Sequence, residues 1–120
     1  MRADVTELFP GGLVAWAALA PVRSREQGGH RQVVIAAHRG YLAAVTSLAL
    51  VIPVTTVDRG WPNHIRLVGE IGLDHPSWGL TEQVRTISRS RLTRVNGHVA
   101  TGCLQDIWTW LADFLDLSTR

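Results

Sequence analysis

The sequence predicts a mainly β (α+β) fold, in which short strands form a small barrel and a C-terminal helix packs against it. Two observations support this prediction. Aliphatic and β-branched runs of strand length, separated by polar or turn-forming residues, recur over residues 12–100. The last segment then changes to the spacing of an amphipathic helix. Many short strands followed by one helix favour a small barrel.

Six segments have the composition of strands. The first three are aliphatic or β-branched nearly throughout, which predicts buried strands. The next two alternate polar and apolar residues, as half-exposed strands do. The sixth contains Asn96-Gly97 and predicts a weaker last strand or a hairpin. In chain order the segments are 12–20, 33–35, 48–56, 64–68, 82–88 and 94–100.

The C-terminal helix is predicted from apolar residues that recur at positions i, i+3, i+4 and i+7. Thr101 is the expected N-cap, because a threonine hydroxyl can accept a hydrogen bond from the first turn. Trp108 lies on the apolar face, whereas Trp110 lies off it. The residues of this face are Leu104, Ile107, Trp108, Leu111, Phe114 and Leu115.

Residues 22–31 predict a polar, glycine-bearing loop, and loops carry function more often than cores do. The pair Gly28-Gly29 is not a phosphate-binding fingerprint, because no strand-to-helix turn surrounds it. With 120 residues and 46% hydrophobic content, the chain fits one domain spanning 1–120, with 1–11 as a loose lead-in.

The composition excludes several classes of protein. Cys103 is the single cysteine, so an internal disulfide and a cysteine-built zinc site are excluded. His38, His75 and His98 share no metal-ligand spacing with a carboxylate or with Cys103, and no metal or other cofactor is expected. The apolar stretch 42–54 contains Pro53 and is too short to cross a bilayer, and 12–20 lacks the basic segment that precedes a secretory signal. A cytoplasmic protein without a membrane segment is expected.

All twelve basic side chains are arginines, and the sequence pI is about 9.5. A guanidinium can bind two phosphate oxygens at once, so this composition leans toward nucleic acid or another anion. The alternative is ordinary solvated surface charge.

Three ordered motifs carry a family resemblance. The first runs from Gly12-Leu13-Val14-Ala15-Trp16 through Pro21 to Glu26-Gln27-Gly28-Gly29-His30-Arg31, the second is Val51-Ile52-Pro53-Val54-Thr55-Thr56, and the third is Glu82-Gln83-Val84-Arg85-Thr86-Ile87. In this order and spacing they resemble the MazF/PemK family of toxins from toxin-antitoxin systems. The resemblance covers nearly everything from Gly12 to the terminal helix.

The resemblance implies an SH3-like barrel and the toxin of a type II toxin-antitoxin system. The implied activity is that of a metal-independent, sequence-specific endoribonuclease that cleaves single-stranded RNA. The implied partners are a second copy of the chain, in a homodimer with an RNA groove at its interface, and a cognate antitoxin whose extended acidic C-terminal segment occupies that groove.

The resemblance also assigns residues. Arg31 and Thr55 match the family's catalytic arginine and threonine, and Glu26 is either the general base or holds the loop. Gln83 is expected to bind substrate, as is Gln27 in the first motif. The alternative is that Arg31 is an exposed arginine at the start of a strand, Thr55 a β-branched strand residue and Glu26 a solvated loop glutamate.

Histidine and tryptophan side chains add further candidates. His30 and His64 are expected to contact RNA by stacking or by proton donation, since histidine titrates near neutrality. Trp61 and Trp78 flank turn-rich segments and are able to stack on bases, with core packing as the alternative.

The chain departs from the family pattern at three positions. Leu13 stands where the family usually has aspartate, Gln32 where it usually has proline, and Ala37 where it often has serine. These departures keep open a non-catalytic binding module of the same fold. A gyrase poison is the other alternative, because a related toxin group with the same barrel acts on gyrase. The retained Arg31 and Thr55 argue against a gyrase poison.

Overall fold

The computed structural model describes residues 11–19 and 29–116. Within them it contains eight strands, two α-helices and two 3-10 turns. In chain order these are β1 (Leu13–Ala18), β2 (His30–Ile35), α1 (Arg39–Ala44), β3 (Leu48–Thr55), β4 (His64–Arg66), β5 (Gly69–Glu70), β6 (Trp78–Leu80), the turn Thr81–Gln83, β7 (Arg85–Ser88), the turn Arg89–Arg91, β8 (Leu92–Val99) and α2 (Thr101–Phe114).

The strands form one antiparallel, half-barrel sheet in the order β4-β6-β3-β2-β1-β8-β5. Strand β7 pairs with β3 outside this order. Helix α2 packs against the end of the sheet that carries β4 and the turn Thr81–Gln83. The predicted mainly β fold with a C-terminal helix is therefore confirmed.

Strand β3 changes partners along one edge, and Pro53 lies at the change. Its first residues pair with β7, up to Val51 opposite Arg85, whereas Val54 and Thr55 pair with β6. The Leu50 carbonyl accepts a hydrogen bond from Ala36 on the other edge. Because backbone groups alternate sides along a strand, Pro53 faces the gap between β7 and β6. A proline is tolerated here because no neighbouring strand needs its missing N–H.

Strands β1 to β3 are buried on both faces, which explains their nearly continuous apolar runs. Alternate residues of each strand point to opposite sides of the sheet. One side packs with Leu42 of α1 and Ile87 of β7. The other side packs with Cys103 and Ile107 of α2.

Several predicted element boundaries were wrong. The predicted strand 82–88 begins as a 3-10 turn, and only Arg85–Ser88 forms β7. Asn96-Gly97 does not form a hairpin turn but lies inside the continuous strand β8. Its glycine is required there, because a Cβ on Gly97 would lie 2.0 Å from the Glu70 carbonyl oxygen of β5. Helix α1 and the short strands β5 and β6 were not predicted.

The half-exposed pattern predicted for 64–68 was also wrong. His64 is buried, whereas Val68 is exposed. The polar residue goes inward because its ring has a carboxylate partner, described below.

Helix α2 lies where the period predicts it, but its ends differ from the prediction. Ala100 is the N-cap and no side chain caps the first turn, so the prediction of Thr101 as N-cap was wrong. Phe114 and Leu115 are 47% and 68% exposed, so the buried apolar face does not extend to them. The half-buried Trp108 donates its indole Nε1–H to the Ala36 carbonyl oxygen at 2.6 Å.

Replacing Trp108 with phenylalanine is expected to destabilise the fold by about 1–3 kcal/mol, because it removes this hydrogen bond and some apolar contact. Trp110→Phe is the matched control, since the Trp110 ring contacts Phe114 of the same helix. Urea unfolding should give a clearly lower midpoint for Trp108→Phe than for Trp110→Phe. Equal midpoints would contradict an anchoring role for the Trp108 indole.

Candidate active site

Arg31 and Thr55 lie at neighbouring strand ends. Arg31 is the second residue of β2 and Thr55 is the last residue of β3. The two strands pair as far as Val33 opposite Pro53. Continuing the same register by two residues sets Arg31 opposite Thr55. Two positions 24 residues apart in sequence are thus brought together by backbone pairing.

The Arg31 guanidinium is partly buried and is held by a main-chain acceptor. Its Nη2 donates to the Val54 carbonyl oxygen at 3.3 Å, which is beyond the usual N–H···O distance and marks a weak bond. The Thr55 hydroxyl oxygen accepts a hydrogen bond from the Val57 backbone N–H at 3.1 Å. Because that oxygen is an acceptor in this bond, the hydroxyl proton is available for a ligand.

Two cavities meet at this pair. The larger, the Trp16 groove, has a volume of about 870 Å³, and the smaller, the Glu82 pocket, has a volume of about 370 Å³. Arg31 and Thr55 line both. The groove is lined by Trp16, Leu19, Gly29, His30, Arg31, Gln32, Val54, Thr55, Thr56, Leu73, Asp74, His75, Ser77 and Arg85. The pocket is lined by Arg31, Thr55, Arg59, Trp61, His64, Leu80, Glu82 and Gln83.

The remaining candidate residues fall into three groups. His30 is exposed at the start of β2 and lines the Trp16 groove. His64 and Gln83 line the Glu82 pocket, where Gln83 is exposed and His64 is 7% exposed. Glu26 and Gln27 lie outside the described residues. Of the nine candidates, Trp61 and Trp78 included, six therefore line these two cavities: Arg31, Thr55, His30, His64, Gln83 and Trp61.

A side-chain network that the sequence analysis did not single out surrounds His64. The His64 Nε2 lies 3.1 Å from Glu82 Oε2, and the Asn63 side-chain amide donates to Glu82 Oε1 at 2.7 Å. Asn63 is itself fixed, because its backbone carbonyl accepts from the Thr81 hydroxyl at 2.8 Å. The Trp61 ring packs on the imidazole with 4.7 Å between centroids.

The network keeps the Glu82 carboxyl group charged. Burial alone would raise the pKa of Glu82, but hydrogen bonds from its own backbone and from His64 and Asn63 outweigh it and lower the pKa below the ordinary value. An ionised carboxylate only accepts hydrogen bonds, so Nε2 carries the hydrogen in the His64–Glu82 contact. The one available sequence signal was that Glu82 stands beside Gln83 in the third motif.

The three departures from the family pattern are accommodated by packing and hydrogen bonding. Gln32 accepts a hydrogen bond from the Asn96 side chain at 2.6 Å, which links β2 to β8 across β1. Leu13 packs partly buried against the core, and Ala37 is buried within it. Gly11 approaches the Ala37 carbonyl so closely, at a φ of +56°, that a Cβ there would lie 2.6 Å from the oxygen.

The surroundings of Trp78 and Cys103 indicate structural roles. The Trp78 ring lies under the Arg66 guanidinium at 5.4 Å. Burial raises the pKa of the Cys103 thiol, which favours the protonated, unreactive form.

Among residues 11–19 and 29–116, no three His, Cys, Asp or Glu side chains are close enough to hold a metal ion. In the same part of the chain, neither helix has the length and apolar character needed to cross a membrane.

Comparison with known proteins identifies the family. Residues 11–115 match the family described as PemK-like, MazF-like toxin of type II toxin-antitoxin system. The endoribonuclease toxin MazF of Escherichia coli K12 is 32% identical over 95 residues, which cover 78% of this chain and 82% of that protein.

Solved structures show the same fold. A chain in the MazE-MazF (Form-II) crystal structure from Deinococcus radiodurans has 25% identity and a TM-score of 0.73, covering 91% of this chain and 96% of its own. The Mycobacterium tuberculosis toxin MazF-mt6 has 20% identity and a TM-score of 0.70, covering 89% of this chain and 99% of its own. The chain therefore belongs to the family of PemK-like, MazF-like toxins of type II toxin-antitoxin systems.

Proposed function

We propose that this chain is an endoribonuclease toxin that cleaves single-stranded RNA without a metal ion, at the opening where Arg31 and Thr55 meet. The observation that carries the proposal is the position of these two residues, at facing strand ends and on the walls of both cavities. We propose catalytic roles for Arg31, Thr55 and Glu26.

RNA supplies its own nucleophile, so few protein groups are needed. The 2′-oxygen attacks phosphorus as its proton leaves, the bond from phosphorus to the 5′-oxygen breaks, and that oxygen takes a proton. The products are a 2′,3′-cyclic phosphate and a 5′-hydroxyl end. Neither product requires an external oxidant, reductant or cofactor.

The proposed residues have different roles in this reaction. Arg31 neutralises the charge that develops on the scissile phosphate, and the Thr55 hydroxyl donates a hydrogen bond to a phosphate oxygen. Glu26 takes the 2′-proton or positions the loop, and the exposed His30 is placed to exchange protons near the groove. Gln83 and Gln27 contribute to substrate binding, and His64 contributes through the Glu82 carboxylate that it contacts.

The partners are proposed from the groove and the relatives. The Trp16 groove combines apolar side chains with the cationic Arg31 and Arg85, a lining that suits RNA and also an extended acidic peptide. We infer a homodimer with RNA at its interface, and a cognate antitoxin whose acidic C-terminal segment competes for the groove. A structural relative was crystallised in complex with its cognate antitoxin.

Incubation of the purified protein with a long single-stranded RNA in EDTA tests the proposal. Discrete cuts with 5′-hydroxyl and cyclic-phosphate ends are expected. Intact RNA would contradict the endoribonuclease and favour a binding module that retains RNA without cutting it.

Replacing Thr55 with valine keeps the shape of the side chain but removes its donor. Cleavage is expected to slow by about 100-fold, the usual effect of losing one transition-state hydrogen bond. Thr86→Val is the matched control, because Thr86 is exposed on β7 and lines neither cavity. Single-turnover rates should separate the two variants, and equal rates would remove Thr55 from the mechanism.

A further inference from the structure

The Glu82 pocket contains an anionic group beside the proposed phosphate site, and the proposed function does not explain it. Glu82 lines the same cavity as Arg31 and Thr55. A carboxylate facing a polyanion is electrostatically unfavourable unless it meets hydrogen-bond donors of the ligand. The nucleobases are the part of RNA that carries such N–H donors.

The carboxylate is held in a fixed orientation. Asn63 and His64 each bond a different oxygen, at 2.7 and 3.1 Å. These contacts come from the start of β4, whereas Glu82 lies on the turn after β6. Each carboxylate oxygen can accept two hydrogen bonds, and Asn63, His64 and the backbone N–H of Glu82 take three of these four sites, so one remains open. The side chain is 30% exposed, so this site is accessible from the pocket.

The His64 imidazole orients Glu82 at a cost in folding free energy. The His64 Nδ1 is buried and has no hydrogen-bond partner among the described residues. A buried polar atom without a partner is destabilising, and the hydrogen bond that the ring does make is the one from Nε2 to Glu82. Nε2 orients Glu82, which makes His64 a positioning residue.

The Trp61 ring covers the same pocket and remains 49% exposed. It is fixed from one side by the His64 ring. An exposed indole with a defined orientation is a stacking surface for a base. The cavity volume of about 370 Å³ lies within the range of small-ligand sites.

We propose that the Glu82 pocket binds one nucleobase next to the scissile phosphate and selects bases with an exocyclic amino group, with Glu82 accepting from that group while Trp61 stacks on the ring. Adenine, cytosine and guanine present such donors. Uracil presents a single N3–H between two carbonyl oxygens, which repel the carboxylate. The inference rests on the proposed ribonuclease activity and adds the base class that it recognises.

Digestion of a random-sequence RNA, followed by sequencing of the new ends, tests the inference. Wild type is expected to disfavour uracil by about tenfold or more at one position beside the cut. Glu82→Gln replaces one acceptor with an amide donor, which can bond a uracil carbonyl, so the bias at that position should largely disappear. Glu70→Gln, an exposed glutamate on β5 that lines neither cavity, should keep the wild-type pattern.

A second measurement uses wild type alone, so it does not depend on the folding of a variant. The preferred base at that position is replaced by an analogue without its amino group: inosine for guanosine, purine riboside for adenosine, or zebularine for cytidine. Cleavage is expected to slow by about tenfold, while the same replacement several nucleotides away has no effect.

The outcomes separate this inference from the proposed function. Cleavage by wild type without a position that disfavours uracil overturns the pocket's selectivity and leaves the ribonuclease intact. The same holds if Glu82→Gln keeps the wild-type pattern, or if the analogues are cut at the normal rate. Failure of wild type to cut any RNA overturns the ribonuclease and, with it, this inference.

Discussion

Replacing Arg31 with alanine is expected to lower the single-turnover rate of RNA cleavage by about 100- to 1,000-fold or more, with little change in folding. The rate falls because the guanidinium is the proposed charge that stabilises the phosphorane, and one such donor contributes on that order. Folding changes little because the residue's recorded side-chain bond, to the Val54 carbonyl at 3.3 Å, is long and weak.

Replacing Arg31 with lysine separates the effect of the charge from that of the guanidinium's shape, because lysine keeps the positive charge but lacks the planar group with paired N–H donors. A rate between those of wild type and Arg31→Ala is expected. Arg94→Ala is the matched control, since Arg94 is exposed on β8 and lines neither cavity. If Arg31→Ala and Arg94→Ala cut RNA equally fast, Arg31 has no catalytic role and the reading of the site is wrong.

Replacing Arg89 with methionine is expected to destabilise the fold by about 3–5 kcal/mol, the largest stability effect anticipated here. Arg89 is 5% exposed, and its Nε donates to the Leu48 carbonyl at 2.8 Å. Its Nη2 donates to the carbonyls of Val45, at 2.9 Å, and of Leu42. Methionine fills the space of the stem but leaves these acceptors buried without donors.

Arg91→Met is the control for Arg89→Met. Arg91 is half-buried and donates through Nη1 to the Ala18 carbonyl at 3.0 Å, so a loss of about 1 kcal/mol is expected. Urea unfolding followed by tryptophan fluorescence gives both values. A loss below 1 kcal/mol for Arg89→Met would show that water replaces the guanidinium and that α1 does not depend on it.

The sequence predicted the central strands well because they are buried on both faces and their aliphatic runs have no other stable location. It did not predict α1, because six residues are too few to show a helical period and the last three of them merge into the apolar stretch 42–54. Strands β5 and β6 have only two and three residues, and pairing with neighbouring strands stabilises them. Arg89 was missed because a charged side chain is ordinarily read as solvated, whereas here backbone carbonyls surround it.

The candidate site was predictable to a different extent. Arg31 and Thr55 were identified by motif, and their proximity follows from strand register, which composition does not reveal. Glu82 was not predicted to be a site residue, although its neighbour Gln83 was. The arginines suggest a basic site for a polyanion, and a carboxylate is not expected in such a site. Its significance depends on contacts with Asn63 and His64, which lie 18 or 19 residues away in sequence. Such pairings become visible once the chain is folded.

The weak tether of Arg31 has a consequence for catalysis. The recorded partner of its guanidinium is an uncharged carbonyl, so this contact neither cancels the cation nor competes strongly with a phosphate. In the proposed reaction the guanidinium exchanges this long hydrogen bond for a contact with an anionic phosphate. Because Arg31 already lines both cavities, we expect the reorganisation energy needed for this exchange to be small.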